Sequence, residues 1–172
     1  MYARYGPEGF MGCNNIYAIV AFSGTGKTTL IEKLIPRLKE RGLRVAVVKH
    51  DAHEFDIDRE GKDSWRMTRA GADVTAVVSD THAAIMENRP VSFEELLGKI
   101  DGVDVIITEG YKHERVKKIA LRRSGNNKPF PVPIDECIAV MSDTPEETKV
   151  PFFGLDDVEA LANLILKDMG RA

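Results

Sequence analysis

Residues 21–29 read Ala-Phe-Ser-Gly-Thr-Gly-Lys-Thr-Thr, between the apolar run Ile16–Val20 and a helical pattern that begins at Leu30. The order strand, glycine-containing loop and helix is that of a phosphate-binding loop. Such a loop aims several backbone N–H groups and the positive end of the helix dipole at one point, which attracts phosphate. The stretch therefore predicts nucleotide binding; the alternative is a chance glycine turn before a helix.

Each residue type in this loop has a chemical task. Gly24 and Gly26 let the backbone curl around the β-phosphate without Cβ clashes. Lys27 supplies a cation for the β and γ oxygens, and Thr28 offers a hydroxyl to Mg²⁺. The usual first glycine of the pattern is Ala21 here, which is tolerable if its φ stays negative. The loop does not distinguish ATP from GTP. Its predicted cofactor-binding residues are Ser23, Gly24, Thr25, Gly26, Lys27, Thr28 and Thr29.

The composition indicates one globular domain. A chain of 172 residues is long enough for one buried core and too short for two ordinary domains. We expect a flexible N-terminal tail over residues 1–13 and a single P-loop nucleotide-binding domain over residues 14–172. With 24 Lys and Arg against 27 Asp and Glu, the net charge of -3 argues against nucleic acid as the main partner.

Cysteine usage and hydropathy favour a cytoplasmic protein. Cys13 and Cys137 have no metal-like spacing, and we interpret both as reduced thiols. No run approaches the ~20 apolar residues of a membrane span, and the N-terminus has no apolar signal core. We therefore expect a soluble protein without a membrane partner.

Apolar strand-like runs alternate with helical patterns along the rest of the chain, which implies a parallel sheet. The predicted fold class is α/β, a P-loop NTPase-type three-layer fold with a mostly parallel sheet flanked by helices. Gly42 is expected to cap the first helix in a left-handed conformation, and Asp63 or Ser64 to cap the second. Ser92 and Glu95 predict a capping box for the third helix. The predicted strands cover residues 16–20, 44–49, 73–79, 83–86, 103–108, 117–122 and 137–141, and the helices cover 28–41, 63–69, 93–100 and 157–169.

Polar motifs follow two of the predicted strands. In an open parallel sheet, ligands bind beyond the carboxyl ends of the strands. Lys49 and His50 follow the second strand, and Glu109, Gly110 and Lys112 follow the buried strand over residues 103–108. We expect both motifs to converge on the phosphate loop and to contribute cofactor-binding residues.

A nucleotide triphosphate needs Mg²⁺, so a strand-end carboxylate is expected near Thr28. Asp51 and Glu109 are the candidates, and the metal ligands would be Thr28, Asp51 and Glu109. Glu109 closes its strand in the manner of a Walker B acid, and we take Lys27 and Glu109 as the candidate catalytic residues. For both carboxylates the alternative is a solvated turn residue. Zinc at His50 and His53 is disfavoured because no third and fourth ligand appears at suitable spacing.

Selection of the base has a weaker signal. The stretch Asn127-Lys128-Pro129-Phe130 lacks the aspartate of a guanine-reading Asn-Lys-x-Asp loop. Asp143, directly after the strand over residues 137–141, could place a carboxylate at guanine. The chain also has a local basic cluster, part of which should be an ordinary solvated strand face. Within it, Lys112 and His113 lie beside the predicted site, where they could meet a second phosphorylated ligand or an acidic partner. The members of the cluster are Lys112, His113, Arg115, Lys117, Lys118, Arg122 and Arg123.

Taken together, the motifs resemble the MobB family of molybdopterin-guanine dinucleotide biosynthesis adapter proteins. The resemblance rests on the phosphate loop, Val-Lys-His-Asp-Ala-His over 48–53, Gly-Lys-Asp-Ser over 61–64, Ala-Gly-Ala over 70–72 and Glu-Gly-Tyr-Lys-His-Glu over 109–114. It implies a homodimeric GTP-binding protein of low GTPase activity. It also implies assistance to a MobA-type nucleotidyltransferase, which joins GMP to molybdopterin in molybdenum cofactor biosynthesis. The implied cofactors are GTP and Mg²⁺, with Asp51 and Glu109 near the metal and residues 61–64 facing a possible second ligand.

Two other functions remain open at this point. A small-molecule kinase would use the polar loop after Lys49 to bind an acceptor hydroxyl, with Asp51 as the base. A non-hydrolysing scaffold would use the nucleotide only as a ligand that switches partner docking. If the chain hydrolyses GTP, Arg59 or Arg66 could act as an arginine finger in cis, or the partner could supply one.

Overall fold

The computed structural model describes residues 15–50, 57–126 and 128–171. The chain divides into two compact units, one made of residues 1–50 and 98–172 and the other of residues 51–97. The single-domain organisation over residues 14–172 stays a prediction, and the predicted tail over residues 1–13 lies outside the described residues. In chain order the elements are β1 (Ile16–Val20), α1 (Lys27–Glu40), β2 (Val45–Lys49), α2 (Asp63–Arg69), β3 (Val74–Val78), β4 (Ala83–Glu87), α3 (Phe93–Gly98), β5 (Val105–Glu109), β6 (Lys117–Arg122), β7 (Cys137–Ser142), β8 (Phe152–Phe153) and α4 (Val158–Asp168).

The larger unit is built on a six-stranded sheet in the order β2-β5-β1-β6-β7-β8. Every pairing between these neighbours is parallel. Parallel strands need crossover connections, and their near-continuous apolar runs agree with burial on both faces. The α/β, P-loop NTPase-type fold class with a sheet flanked by helices is thereby confirmed.

The main core lies between one face of the sheet and the helices α1 and α4. Alternate residues of the central strands, such as Tyr17, Ile19 and Ile119, pack there against Leu34 of α1 and Leu161 of α4. The opposite face carries a smaller cluster that includes Ala18, Val20 and Val140, covered by residues from connecting segments such as Phe130 and Ile134. The period of two along each strand assigns alternate side chains to the two clusters.

Helix α1 ends as the sequence predicts. Gly42 has a φ of 76°, its N–H donates to Lys39 O at 2.9 Å, and Leu43 N–H donates to Leu38 O at 3.2 Å. This pair of bonds is a Schellman motif, in which a glycine adopts the left-handed conformation at low cost. Pro36 lies within α1, on its exposed side. Proline has no N–H to donate, so one carbonyl of the preceding turn loses its helical hydrogen bond. On the exposed side this loss destabilises the helix least, because that carbonyl can turn toward water.

The smaller unit differs from the prediction. β3 does not continue the parallel series but pairs with β4 in a separate antiparallel two-stranded sheet. The short polar connection between them allows a direct hairpin, closed by Ser79 N–H donating to His82 O at 2.7 Å. The predicted cap of α2 is wrong, because Lys62 occupies the N-cap position without a side-chain capping bond.

The predicted capping box before α3 is confirmed on one side. Ser92 Oγ accepts from Glu95 N–H at 3.1 Å, whereas the Glu95 carboxylate pairs with the Arg89 guanidinium. The charge of Arg89 competes successfully with the backbone donor that a complete box would use. Among the helices of the described ranges, none is long and apolar enough to cross a membrane.

Candidate functional site

The phosphate loop runs from the end of β1 to the start of α1 and has the expected glycine conformations. Gly24 has a φ of 75° and Gly26 a φ of 108°, and Gly26 is the N-cap residue of α1. Both values lie in the left-handed region that favours glycine. Among the non-glycine residues that the structure describes, only Tyr111 has a positive φ. Ala21 therefore keeps the negative φ that its place in the pattern requires. The N–H groups at the start of α1 have no partner within the helix and suit an anion.

Lys27 closes the loop on itself. Its Nζ donates to the carbonyl oxygens of Ala21 and Phe22, each at 3.2 Å. An ammonium group has three donors, so one remains for another acceptor. The cation is therefore already held over the loop, beside the N–H groups that would bind phosphate.

Thr28, in the first turn of α1, meets Glu109 at the end of β5. β5 pairs with β1 in a register that sets Glu109 opposite Ile19, and Thr28 Oγ1 donates to Glu109 Oε2 at 2.9 Å. In an octahedral Mg²⁺ site with bonds of 2.0–2.1 Å, two adjacent oxygen ligands are about 2.9 Å apart. The hydroxyl and the carboxylate oxygen thus have the spacing and the chemistry of two ligands to a hard divalent cation.

The predicted motifs after β2 and β5 lie side by side. Lys49 is in register with Glu109, and His50 N–H donates to Glu109 O at 3.0 Å. The rings of His50 and Tyr111 make an edge contact with centroids 5.0 Å apart. The structure thus brings Lys49 and His50 to the Glu109 end of β5.

Gly110 permits this close approach. A Cβ built on Gly110 would lie 3.3 Å from Cβ of His50, and its φ is 96°. Its N–H donates to Ile19 O at 3.1 Å, so the backbone turns sharply while still bonded to β1. A residue with a side chain would meet both a crowded neighbour and an unfavourable backbone conformation.

Of the remaining residues predicted on this side, the structure describes Lys112 but not Asp51. Lys112 is exposed in the turn that follows β5. Asp51 and His53 lie outside the described residues, as does Cys13. Over residues 15–50, 57–126 and 128–171 there is no group of three or more His, Cys, Asp or Glu that could hold a metal ion.

Three members of the predicted basic cluster pair with carboxylates within the larger unit. Lys117 pairs with Asp168 at 2.5 Å, Lys118 with Glu136 at 3.6 Å, and Arg122 with Glu146 at 2.5 Å. Regular alternation along β6 directs these side chains to different neighbours, so the pattern in the sequence does not form one basic surface.

Asp143 lies at the wall of a cavity of about 660 Å³ on the other side of the phosphate loop. It accepts hydrogen bonds from Ser124 N–H at 2.7 Å and Ser124 Oγ at 2.9 Å. The backbone bond from Ser124 is the largest cause that lowers the pKa of the Asp143 carboxyl, so the group is ionised near neutral pH. Residues around the cavity include Thr25, Gly26, Thr29, Lys33, Arg123, Asp143, Asp156 and Asp157.

Several residues of this cavity were not among the predicted nucleotide-binding residues, and Arg123 was expected only as a member of the basic cluster. Arg123 directly follows β6, and Asp156 and Asp157 directly precede α4. Arg123 follows β6, which pairs with β1, and the two aspartates follow β8, which lies at the edge of the sheet on the same side of β1. The strand order would have pointed to them, but it cannot be read from the order of elements along the chain.

A family model and several known proteins match this chain. The model described as "Molybdopterin guanine dinucleotide synthesis protein B" (MobB) matches residues 16–143. The molybdopterin-guanine dinucleotide biosynthesis adapter protein of Escherichia coli is 41% identical over 91% of this chain and 94% of its own. The protein of the same name from Haemophilus influenzae is 38% identical over 87% and 86% of the two chains.

Solved structures agree with the sequence matches. The crystal structure of Bacillus subtilis MobB superposes with a TM-score of 0.74 at 28% identity, covering 89% of this chain and 96% of that one. A MobB homologue from Bacillus stearothermophilus gives a TM-score of 0.66 at 25% identity, covering 92% and 99%. Since the family model covers most of the chain and the relatives align over nearly their whole length, the chain belongs to the MobB family.

Proposed function

We propose that this chain is a GTP-binding adapter with weak GTPase activity in molybdenum cofactor biosynthesis. In this role it assists a MobA-type nucleotidyltransferase in attaching GMP to molybdopterin. The main support for nucleotide binding is the contact of Thr28 with Glu109 beside Lys27 of the phosphate loop. The names of its relatives, which are adapter proteins of molybdopterin-guanine dinucleotide biosynthesis, support the pathway.

The phosphates would lie on the N–H groups of residues 23–29, at the positive end of α1. Lys27 would bind the β and γ oxygens, since its ammonium group already lies over the loop. Thr28 and Glu109 would hold Mg²⁺, with Asp51 as a third ligand from the segment after β2. When bound, Mg²⁺ supplies charge that neutralises the β and γ oxygens.

Weak hydrolysis follows from what surrounds this end of the loop. Glu109 would orient a water at the γ-phosphate, and its Oε2 already accepts from the Thr28 hydroxyl. The loop lysine alone does not match the charge that a GTPase-activating arginine adds to the transition state. Turnover by the isolated protein should therefore be slow and sensitive to the partner.

Asp143 would select guanine. Its carboxylate faces the cavity beside the phosphate loop, and ionised oxygens can accept from N1–H and the 2-amino group of guanine. The bonds from Ser124 would fix the carboxylate and still leave lone pairs for the base. Lys49, His50, Gly110 and Lys112 would complete the site on the Glu109 side, where molybdopterin or the partner approaches.

The protein would act as a homodimer. The hairpin of the smaller unit exposes apolar side chains, with Val78 at 74% and Ile85 at 70% of full exposure. Apolar groups exposed together are typical of interaction sites, and a second copy of the chain would bury them.

An assay of the partner's reaction tests this proposal. MobA, molybdopterin and limiting GTP are combined, and the initial rate of dinucleotide formation is measured with and without this protein. We expect the wild-type protein to raise the rate and Lys27→Ala to lose that effect. Lys39→Ala, which removes an exposed lysine elsewhere on α1, serves as the matched control and should behave as wild type.

The fate of the γ-phosphoryl group separates the proposed function from a kinase. With γ-labelled GTP, an adapter GTPase slowly releases inorganic phosphate. Label on an acceptor molecule, fast turnover by the isolated protein, or a rate of dinucleotide formation that is the same with and without it would contradict the proposal.

A further inference from the structure

Arg123 lies against the phosphate loop although it is distant in sequence. It follows the last residue of β6, the strand that pairs with β1 on the side opposite β5. A Cβ built on Gly26 would lie 3.7 Å from Nη2 of Arg123. The guanidinium group therefore lies beside the side-chain position of the loop glycine, whose N–H would face a bound phosphate.

The Arg123 side chain is exposed and makes no hydrogen bond or ion pair within the described ranges 15–50, 57–126 and 128–171. The neighbouring cations have partners. Lys33 pairs with Asp156 at 2.8 Å, Arg122 pairs with Glu146, and the Lys128 ammonium lies 5.2 Å from the centre of the Phe22 ring. Arg123 thus keeps its five N–H donors for another acceptor at the edge of the cavity.

The carboxylates around the cavity give it negative charge that a cation would offset. Asp143, Asp156 and Asp157 border it, and Lys33 neutralises Asp156. Asp143 and Asp156 both have lowered pKa values, mainly because of hydrogen bonds from Ser124 and Lys33 respectively, with a smaller contribution from the charge of Arg123. Without Arg123, carboxylates would dominate the space into which an anionic nucleotide has to fit.

The strand order decides which part of the nucleotide Arg123 meets. The Thr28 and Glu109 pair marks the β5 side of the loop, where the metal ligands and the γ-phosphate belong. Arg123 stands on the β6 side, where the cavity of about 660 Å³ has room for a nucleoside. The phosphate that joins the nucleoside to the loop is the α-phosphate.

We propose that Arg123 binds the α-phosphate of the nucleotide and so fixes the nucleoside in the cavity. This inference rests on the proposed GTP binding and adds a binding residue to that site. The geometry assigns to Arg123 a role in affinity for GTP and GDP alike. It does not assign to it the role of an arginine finger, which acts on the γ-phosphate.

The test compares the affinities of wild type, Arg123→Ala and Arg123→Lys for GTP and GDP by calorimetry. Charge-assisted bonds to phosphate lead us to expect that Arg123→Ala weakens both nucleotides by the same factor, about tenfold. Arg123→Lys should recover part of the loss, because it keeps the charge but not the planar fork. Arg37→Ala, at an exposed arginine on α1, is the control and should bind as wild type.

An α-thio analogue of GDP locates the contact. Replacing one α oxygen by sulfur should weaken binding to wild type in the diastereomer that presents sulfur to Arg123, and this penalty should vanish in Arg123→Ala. A penalty of equal size in both proteins would overturn the assignment to the α-phosphate. So would a loss of affinity for GTP but not GDP, or a lower rate with unchanged affinity.

The two levels of the proposal fail separately. If the wild-type protein binds GTP and Arg123→Ala binds it equally well, this inference falls and the proposed function stands. If the wild-type protein binds neither GTP nor GDP, both fall together.

Discussion

At the scale of single residues, the pair of Thr28 and Glu109 links a helix and a strand that lie far apart in sequence. Their 2.9 Å contact joins the first helical turn after the loop to the end of β5. The hydroxyl is a donor to the carboxylate here, and both oxygens are suitable ligands for a hard cation. The pair therefore predicts that metal binding and nucleotide binding depend on the same hydroxyl.

Thr28→Val tests that coupling with little change of shape. Removing the hydroxyl should reduce the gain in GTP affinity that Mg²⁺ provides by about tenfold. Binding in the presence of a chelator should change little, because the backbone N–H groups remain. The measurement is a GTP titration with Mg²⁺ and with EDTA, with Thr28→Ser as the variant that keeps the hydroxyl. A full Mg²⁺ effect in Thr28→Val would refute the assignment of Thr28 as a ligand.

At the scale of elements, Asp168 joins α4 to two strands of the sheet. It accepts from Tyr17 Oη and from Lys117 Nζ, each at 2.5 Å. Burial raises the pKa of the Asp168 carboxyl, but the two hydrogen bonds outweigh it, and the pKa lies below its ordinary value. The ionised carboxylate is thus more stable in the folded protein than in the unfolded chain.

The lowered pKa sets the sign of a stability prediction. A carboxyl whose pKa is lower when folded contributes stability above its unfolded pKa of about 3.9, and the contribution disappears as the pH falls through the folded pKa. Asp168→Asn should lower the free energy of unfolding at pH 7 by about 1 kcal/mol, a modest value because the pair is partly exposed. Urea unfolding at pH 7 and near pH 3 should show this difference shrinking in acid.

Asp135→Asn, at an exposed carboxylate before β7, is the control for this series. It should leave the free energy of unfolding unchanged at both pH values. A difference between wild type and Asp168→Asn that is the same at pH 7 and pH 3 would show that the ionised form of Asp168 is not what stabilises the fold.

The elements themselves could largely be predicted from local sequence. The apolar run of β1, the glycine after α1 and the valine-rich β2 are each specified within a few residues, and the structure places them within a residue or two of the prediction. β3 was predicted as a strand, but its sequence does not say which strand it pairs with. β8 was missed because two residues, Phe152 and Phe153, are too short to show a period.

The candidate site likewise has residues that could be recognised from local sequence and residues whose position depends on strand pairing. The phosphate loop and the acid at the end of β5 could be recognised because their residue types and spacing are fixed by phosphate and metal chemistry. Arg123 could be recognised only as a member of a basic cluster, because its position beside Gly26 depends on β6 pairing with β1. A long-range pairing of this kind leaves no pattern in a single sequence.

At the scale of the whole molecule, the strand order separates two tasks. On the β5 side of β1 lie Thr28, Glu109, Lys49 and His50, which would handle the metal and the γ-phosphate. On the β6 side lie the cavity, Arg123 and Asp143, which would hold the nucleoside. The loop between β1 and α1 is shared by both sides. This division agrees with the proposed binding of a whole nucleotide.

The affinity of the purified protein for GTP, measured beside ATP in the presence of Mg²⁺ and repeated with Lys27→Ala, tests the account most directly. We expect GTP to bind more tightly than ATP and the binding to be lost in Lys27→Ala, while Lys39→Ala binds as wild type. Tighter binding of ATP, or GTP binding that persists without Lys27, would contradict the GTP-binding adapter proposed here.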